Sequence, residues 1–263
     1  MSNREKVLRF YRASGDEILA ARLLDLAETV EQTGKYKISG FLDPHGLDVA
    51  ETVAAHVKGV ELASDGGYVG AERKKVAFFA PAWGKAIDFR ISAAEIIWQP
   101  EFSSVSHRDI LGALLGLGLN REVFGDIVLS ERQDRCQVLI DSGVLEFVLA
   151  NLRQVGKCPV TVKETVPRDI PPRTDRVKEI RATVASLRLD SVAAAGFGVS
   201  RTKMTAEIEA EKVKLNWQNA KSSAQTVKQG DIISALGRGR VEVSQIIGQT
   251  KKGRTSIVLK RYI

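Results

Sequence analysis

Six residues in the last third of the chain have the types and spacing needed to hold a phosphate group: Arg188, Ser200, Arg201, Lys203, Lys212 and Lys214. Ser200 is a good N-cap, and it predicts a helix whose first turn contains Arg201 and Lys203. Cations at this end of a helix oppose the helix dipole, which favours anions there. The same end presents backbone N–H groups without intrahelical acceptors, so these donors and the two cations together predict a phosphate cradle.

The cations of the chain are concentrated in its last third. More of them lie on turns that glycine makes flexible, and these turns are Gly237-Arg238-Gly239-Arg240 and Lys251-Lys252-Gly253-Arg254. Residues 173–263 contain 18 Lys and Arg against 8 Asp and Glu, a net charge of +10. The first 172 residues contain 21 Lys and Arg against 24 Asp and Glu, a net charge of −3. This asymmetry indicates a module that binds a polyanion. A solvated basic face explains any single lysine equally well, but the set as a whole favours RNA.

Composition argues against several other classes of protein. The 263 residues are 44% hydrophobic and 27% charged, which is typical of a globular protein of two or three domains. Cys136 and Cys158 make no disulfide framework, and the isolated histidines His45, His56 and His107 lack the spacing of a zinc site. We therefore expect no metal and no cofactor. No stretch approaches the roughly 18 apolar residues of a membrane span, and the beginning lacks a signal-peptide pattern, so we expect a cytoplasmic protein. We also expect a monomer.

Hydrophobic periodicity divides the chain into an α+β protein of three small domains. Residues 1–74 are predicted to form an N-terminal α/β domain, residues 75–166 a central α/β domain, and residues 181–263 a basic RNA-binding domain. Pro167, Pro171 and Pro172, mixed with charges, mark a linker over residues 167–180.

The elements of the first two domains follow from periodicity and turn residues. In the N-terminal domain we predict a helix over 17–30, a second helix with Asp43 as N-cap, Pro44 in the first turn and its body over 47–57, and strands over 35–42 and 60–63. In the central domain we predict strands over 76–80, 86–97, 126–129, 135–140 and 159–162. Helices are predicted there over 106–118, with Ser106 as the cap and Asp109 in the first turn, and over 143–154. The resulting order β-β-α-β-β-α-β suggests a small sheet with helices on one face. Such a sheet can bind single-stranded RNA, although few aromatic residues lie on these strands.

The C-terminal segment is predicted to contain two short helices and a small curled sheet. The strands are expected over 177–184, 213–217, 231–236, 240–246 and 256–260. The helices are expected over 190–195 and from Ser200 to about Glu211.

Four blocks of this segment occur in a fixed order. They are Leu187-Arg188-Leu189-Asp190, Ser200-Arg201, Val213-Lys214-Leu215-Asn216 and Val227-Lys228-Gln229-Gly230-Asp231-Ile232-Ile233-Ser234. In this order and at this spacing they resemble the RNA-binding domain named after ribosomal protein S-four. The resemblance implies the alpha-L fold of that domain. One departure is that the family's glycine before the third block is replaced by Glu211.

The upstream part of the chain resembles a narrower family. Phe41-Leu42-Asp43-Pro44, Gly66-Gly67-Tyr68, Ala71-Glu72-Arg73-Lys74, the stretch 107–118, Arg121 and Gly125-Asp126-Ile127 are similar to the bacterial YlmH family. This resemblance covers nearly the whole chain, and it implies three domains, of which the central one is a ferredoxin-like or RRM-like α/β sandwich. It implies binding to the large ribosomal subunit through ribosomal RNA or tRNA, where the family is linked to rescue of stalled nascent chains held on peptidyl-tRNA.

A second RNA contact is expected upstream of the basic module. The candidate residues are Arg73, Lys74, Lys75, Arg108 and Arg121. The glycine turn before Arg73 favours exposure of that segment, although a solvated turn is the alternative.

Enzymatic functions fit the sequence less well. His107-Arg108-Asp109 spells a kinase triplet, but the kinase glycine loop, strand lysine and downstream asparagine are absent, and a helix cap explains it better. The glycines from Gly112 to Gly118 are not followed by the Lys-Ser/Thr of a phosphate loop. We therefore expect a non-catalytic protein. The alternatives are an accessory of an RNA-modifying enzyme, such as a pseudouridine synthase, or an RNA-binding factor for cell division or photosystem biogenesis.

Overall fold

The computed structural model of the protein describes residues 2–99, 105–167, 170, 177–250 and 253–262. The chain forms two compact units, Met1–Arg173 and Thr174–Ile263, which we call the first unit and the second unit. Both helices and antiparallel strands contribute to each unit, so the prediction of an α+β protein is confirmed.

The first unit contains five helices and nine strands among its described residues. They are α1 (Asn3–Arg12), α2 (Glu17–Thr33), β1 (Tyr36–Leu42), α3 (Pro44–His56), β2 (Glu61–Asp65), β3 (Lys74–Phe79), β4 (Ile91–Ile97), α4 (His107–Gly116), β5 (Phe124–Leu129), β6 (Arg135–Asp141), α5 (Leu145–Asn151), β7 (Gln154–Val155), β8 (Cys158–Pro159) and β9 (Thr161–Thr165). Helix α1 was not predicted, although the capping box formed by Ser2 and Glu5 is a sequence signal for its beginning.

The N-terminal part packs three helices on a three-stranded antiparallel sheet with the order β1-β3-β2. Helix α2 ends where Gly34 adopts a left-handed conformation with a φ of 65°. The side chain of Asp43 caps α3, and Pro44 occupies its first turn, as predicted. Strand β3 lies between β1 and β2, so the expected boundary between residues 74 and 75 is wrong for this strand, which belongs to the N-terminal sheet.

The central part has the strand order β5-β6-β4-β9, and all neighbours are antiparallel. Together with α4 and α5 these strands follow the order β-α-β-β-α-β, which is the ferredoxin-like arrangement predicted for this region. Ser106 and Asp109 form the predicted cap of α4. The strand predicted over 86–97 begins only at Ile91, because Arg90 adopts a left-handed conformation with a φ of 52° that interrupts extended backbone.

One face of the central sheet is covered by the N-terminal part of the unit. Side chains alternate along a strand, so Ala93 and Leu139 face away from the helices α4 and α5. They pack against Phe41 of β1 and against Ile170. On the same face Glu95 is buried and forms an ion pair with Lys163. Part of the face that an RRM-like sheet uses for RNA is therefore covered here by protein, whereas Lys163 and Arg135 on the same face remain partly exposed.

The second unit joins two helices to a six-stranded antiparallel sheet. Its elements are β10 (Val177–Val184), α6 (Leu189–Phe197), α7 (Arg201–Glu209), β11 (Val213–Leu215), β12 (Gln218–Asn219), β13 (Ile232–Ala235), β14 (Gly239–Gln249) and β15 (Thr255–Tyr262), with the strand order β10-β15-β14-β13-β11-β12. Buried side chains of α6 and α7 pack on this sheet in one core. Gly196 of α6 lies so close to Val241 that an added Cβ would come within 2.7 Å of its Cγ1 atom. Glycine therefore allows α6 to pack directly on β14.

Within the described ranges, no helix has the length and apolar composition required to cross a membrane. The same ranges contain no group of three or more His, Cys, Asp or Glu side chains arranged for a metal ion.

Candidate RNA-binding surface

The beginning of α7 has the geometry that the sequence predicted. Ser200 has extended backbone, with a φ of −69° and a ψ of 149°, and its hydroxyl accepts a hydrogen bond from the N–H of Lys203 at 3.2 Å. Arg201 and Lys203 are exposed in the first turn. The first N–H groups of a helix have no intrahelical acceptor, so this end combines backbone donors with two cations.

A buried carboxylate joins the starts of the two helices. Asp190 is 2% exposed, and its Oδ2 atom lies 3.0 Å from Nη2 of Arg188 and 3.0 Å from Nη2 of Arg201. Burial by itself would raise the pKa of Asp190, but the hydrogen bonds from Arg188 and Arg201 outweigh it and hold this pKa below its usual range. Both guanidinium groups are therefore fixed beside one oxygen atom while parts of each stay exposed.

The sequence did not reveal this role of Asp190. The letters Arg188-Leu189-Asp190 gave a family resemblance, but only the fold brings Arg201 of the second helix to the same carboxylate. The fixed pair of guanidinium groups adds Arg188 to the cradle of Arg201 and Lys203 that the spacing predicted. Five donors in a planar fork leave each arginine with N–H groups for a further acceptor.

Lys212 and Lys214 are exposed at β11, as expected. The turn before them follows from the end of α7, where the N–H of Glu211 donates to the carbonyl of Ile208 and the N–H of Lys212 to that of Glu207. This is a Schellman motif, and Glu211 occupies its left-handed position with a φ of 56°. Glu211 therefore adopts the turn geometry that a glycine would give, but with local backbone strain.

The remaining predicted cations of the module differ in how they are held. Arg238 forms a bidentate ion pair with Glu207, and the shortest N–O distance is 2.7 Å. Arg240 lies over the ring of Tyr262, and Arg254 donates to the carbonyl of Thr183 at 2.9 Å. Lys251 and Lys252 lie outside the described residues. The engaged side chains of Arg238 and Arg240 are thus weaker candidates for RNA contact than Lys203 and Lys214.

Two further lysines of the module were missed. Lys221 and Lys228 are exposed and border a loop that lies against the beginning of α6. The N–H of Leu189 donates to the carbonyl of Gln225 at 2.8 Å, and that of Asp190 to the carbonyl of Ser223 at 3.1 Å. Both lysines belong to the basic segment, but their place in sequence did not indicate that this loop meets α6.

Three of the five upstream candidates have internal roles instead. Lys75 is fully buried, bonded to Asp141 and, at 3.0 Å, to the carbonyl of Arg90. It cannot reach RNA, and the expected contact is wrong for this residue. The cause is its position on the central strand of the N-terminal sheet.

Arg73 ties the two sheets of the first unit together, and Arg121 holds the beginning of β5. Arg73 donates to the carbonyls of Phe41 and Phe124 at 2.6 and 3.1 Å, and Arg121 donates to those of Phe124 and Gly125. Burial lowers the pKa of Arg73, and burial, with the nearby charge of Arg73, lowers the pKa of Arg121 to about 10. These guanidinium groups serve the fold.

The other two upstream candidates keep part of their surface open to solvent. Arg108 is exposed in the first turn of α4, and Lys74 is half-buried at the beginning of β3. Contact of these two residues with RNA stays a prediction.

Comparison with known proteins identifies the family of this chain. It is 36% identical over 242 residues to the "Ribosome-associated protein quality control protein P2" of Bacillus subtilis (strain 168), and the aligned region covers 90% of this chain and 92% of that protein. The chain belongs to the YlmH family. Among solved structures, "Cell division protein ylmH from Streptococcus pneumoniae" matches with a TM-score of 0.49 and 27% identity, covering 57% of this chain and 91% of that one.

Three domain descriptions, two of them specific to the YlmH family, match the chain between residues 16 and 233. Residues 16–82 match the domain described as "YlmH, N-terminal", residues 85–169 the "Putative RNA-binding domain in YlmH", and residues 187–233 the "S4 domain". The last match contains Asp190 and its two arginines as well as Lys203 and Lys214. In this YlmH-family chain the strands β14 and β15, which lie beyond residue 233, complete the same sheet.

Proposed function

We propose that this protein is a non-catalytic RNA-binding protein that associates with ribosomal RNA or tRNA on the large ribosomal subunit. We further propose that it acts in the rescue or quality control of stalled nascent chain–tRNA complexes. The observation that carries the proposal is the fixed pair of guanidinium groups on Asp190, beside the capped end of α7. The name of the Bacillus subtilis relative, a ribosome-associated quality control protein, supports the ribosome as the setting.

The proposed contact is to phosphate groups. An arginine whose orientation is already fixed loses less side-chain entropy when it binds a phosphate, and guanidinium suits the two oxygens of that group. Lys203 and Lys214 add mobile point charges that attract a polyanion over a longer range. The arrangement therefore favours a folded RNA backbone as ligand over a specific base sequence.

The test compares two pairs of lysines in the second unit. Lys203→Gln with Lys214→Gln removes two charges from the proposed surface, and neither side chain takes part in the ion pairs of Asp190. Lys178→Gln with Lys260→Gln removes the same charge at β10 and β15, where both lysines are exposed. Each variant is measured for affinity to purified large-subunit RNA over a series of salt concentrations.

We expect the variant with the first pair of substitutions to bind more weakly. The slope of its logarithmic affinity against the logarithm of the salt concentration should become shallower by about one for each lost phosphate contact. The control pair should keep both the affinity and most of the salt dependence. Equal losses in the two pairs would contradict a localised surface, because they would show that only net charge matters. Cosedimentation of the full chain with large subunits, followed by crosslinking and sequencing of the bound RNA, then identifies the target.

A further inference from the structure

Trp217 occupies a conformation that its residue type disfavours. It connects β11 to β12 with Asn216 in a two-residue turn, and φ is 49° at Asn216 and 65° at Trp217. Two positive φ values define a type I′ turn, for which asparagine followed by glycine is preferred. A bulky aromatic residue at positive φ is a true outlier, and backbone strain of this kind concentrates at functional sites.

Asn216 has local interactions that compensate for its conformation, whereas Trp217 has none within the described part of the chain. The side chain of Asn216 donates to Asp231 at 3.0 Å and accepts from the N–H of Ile232 at 2.8 Å. Trp217 belongs neither to the buried core of the second unit nor to the half-buried apolar residues packed on it. Its indole N–H makes no hydrogen bond and its ring has no aromatic or cationic neighbour among the described residues. Its side chain is half-buried, so part of the ring remains open to solvent.

The surroundings of this turn are basic. Lys214 lies on β11 and pairs across the hairpin with Asn219, and Lys221 follows β12. Lys228 belongs to the turn that Asp231 closes, and the same carboxylate holds Asn216. All three lysines are exposed. The carboxylate of Asp231 is the nearest acid in these contacts, and its two oxygens are already engaged by protein donors.

We propose that Trp217 is a stacking platform for an unpaired base of the bound RNA, with Lys214 and Lys221 binding the adjacent phosphates. This inference rests on the proposed RNA-binding function and adds a base contact to its phosphate contacts. A half-exposed indole offers an aromatic face, and aromatic faces with flanking cations bind unpaired nucleotides in a manner that tolerates any base. The strained turn places the half-buried ring at the tip of the hairpin, outside the core cluster of the second unit.

The test uses the full chain and three substitutions. Trp217→Gly introduces the residue that the turn prefers and removes the ring, while Trp217→Phe keeps an aromatic ring in the same backbone. Val177→Ala is the control, because it truncates an exposed apolar side chain on β10 at the other edge of the sheet. Affinity is measured for whole large ribosomal subunits, for purified large-subunit RNA, and for a single-stranded and a fully duplex RNA oligonucleotide, together with the urea midpoint of each variant.

Trp217→Gly should bind large-subunit RNA and the single-stranded oligonucleotide about 5- to 150-fold more weakly, the loss expected for one stacked base. Its salt dependence should stay unchanged, because stacking neutralises no phosphate. Its urea midpoint should change little, since glycine relieves the positive φ while the packing of the half-buried ring is lost. Trp217→Phe should retain most of the affinity, and Val177→Ala all of it.

Other outcomes would overturn the inference. Wild-type affinity in Trp217→Gly would reject the stacking platform and leave the phosphate surface standing. A loss confined to whole ribosomal subunits, with RNA binding intact, would show that the ring contacts a protein instead. If Trp217→Gly loses RNA affinity together with a lower urea midpoint, and Trp217→Phe does not restore the affinity, Trp217 has a structural role instead. If the wild type binds none of the RNA probes, both this inference and the proposed function fail.

Discussion

Lys75 and Asp141 form an ion pair whose two members should tolerate replacement unequally. The Lys75 ammonium is fully buried and has Asp141, the carbonyl of Arg90 at 3.0 Å and the ring of Phe41 at 5.3 Å around it. The side chain of Asp141 is 27% exposed and also accepts the N–H of Gly143 at 2.8 Å. Loss of the lysine leaves a carboxylate that water can solvate, whereas loss of the carboxylate leaves a buried cation.

The structure sets the expected magnitudes. Removing one partner of a buried pair costs about 3–5 kcal/mol when the other charge stays buried and uncompensated. For Asp141→Asn we expect about 3 kcal/mol, at the low end of that range, because the amide oxygen still accepts from Lys75. For Lys75→Met we expect a change within about 1 kcal/mol, because methionine fills a similar volume in an apolar site and Asp141 keeps its access to solvent.

The assay is urea unfolding, monitored by tryptophan fluorescence, in a Trp217→Phe background. The remaining tryptophans, Trp83 and Trp98, both lie in the first unit, so the signal reports on that unit. A Lys75→Met variant that loses as much stability as Asp141→Asn would refute the reasoning.

Two further predictions concern the second unit. Glu211→Gly should raise the stability of this unit by about 0.5–1 kcal/mol, because glycine is preferred at the left-handed position of a Schellman motif, and a lower urea midpoint would contradict this. Asp190→Asn should weaken RNA binding because Arg188 and Arg201 lose the carboxylate that orients them; unchanged affinity would show that orientation is unimportant. Since the pKa of Asp190 is held below the ordinary value of about 3.9, its charge and the stability that it contributes persist above that pH and are lost only as the pH falls through the lower folded value. The RNA affinity of the wild type should accordingly show no transition from Asp190 between pH 5 and pH 8, which a titration of binding against pH can check.

Much of the fold could be predicted because local sequence signals agree with it. Ser106, Ser200 and Asp43 cap the helices that they were expected to cap, and the strand over 177–184 has the predicted bounds. Signals of this kind act within one turn of a helix or along one strand, so they depend little on the rest of the chain. The errors lie where long-range pairing decides. The membership of β3 in the N-terminal sheet depends on its pairing with β1 and β2, which no local pattern encodes.

The candidate site shows the same division. The sequence by itself determined that the positive charge lies in one module, that Ser200 begins a helix, and that Arg201 and Lys203 lie in its first turn, because composition and capping are properties of neighbouring residues. Only the tertiary structure decided that Arg188 and Arg201 share Asp190, that Lys75, Arg73 and Arg121 turn inward, and that Trp217 stays outside the core. The physical reason is that a cation in the sequence is the same residue whether it faces water, a carbonyl or a buried carboxylate. Its environment is fixed only when strands and helices distant in the chain pack against one another.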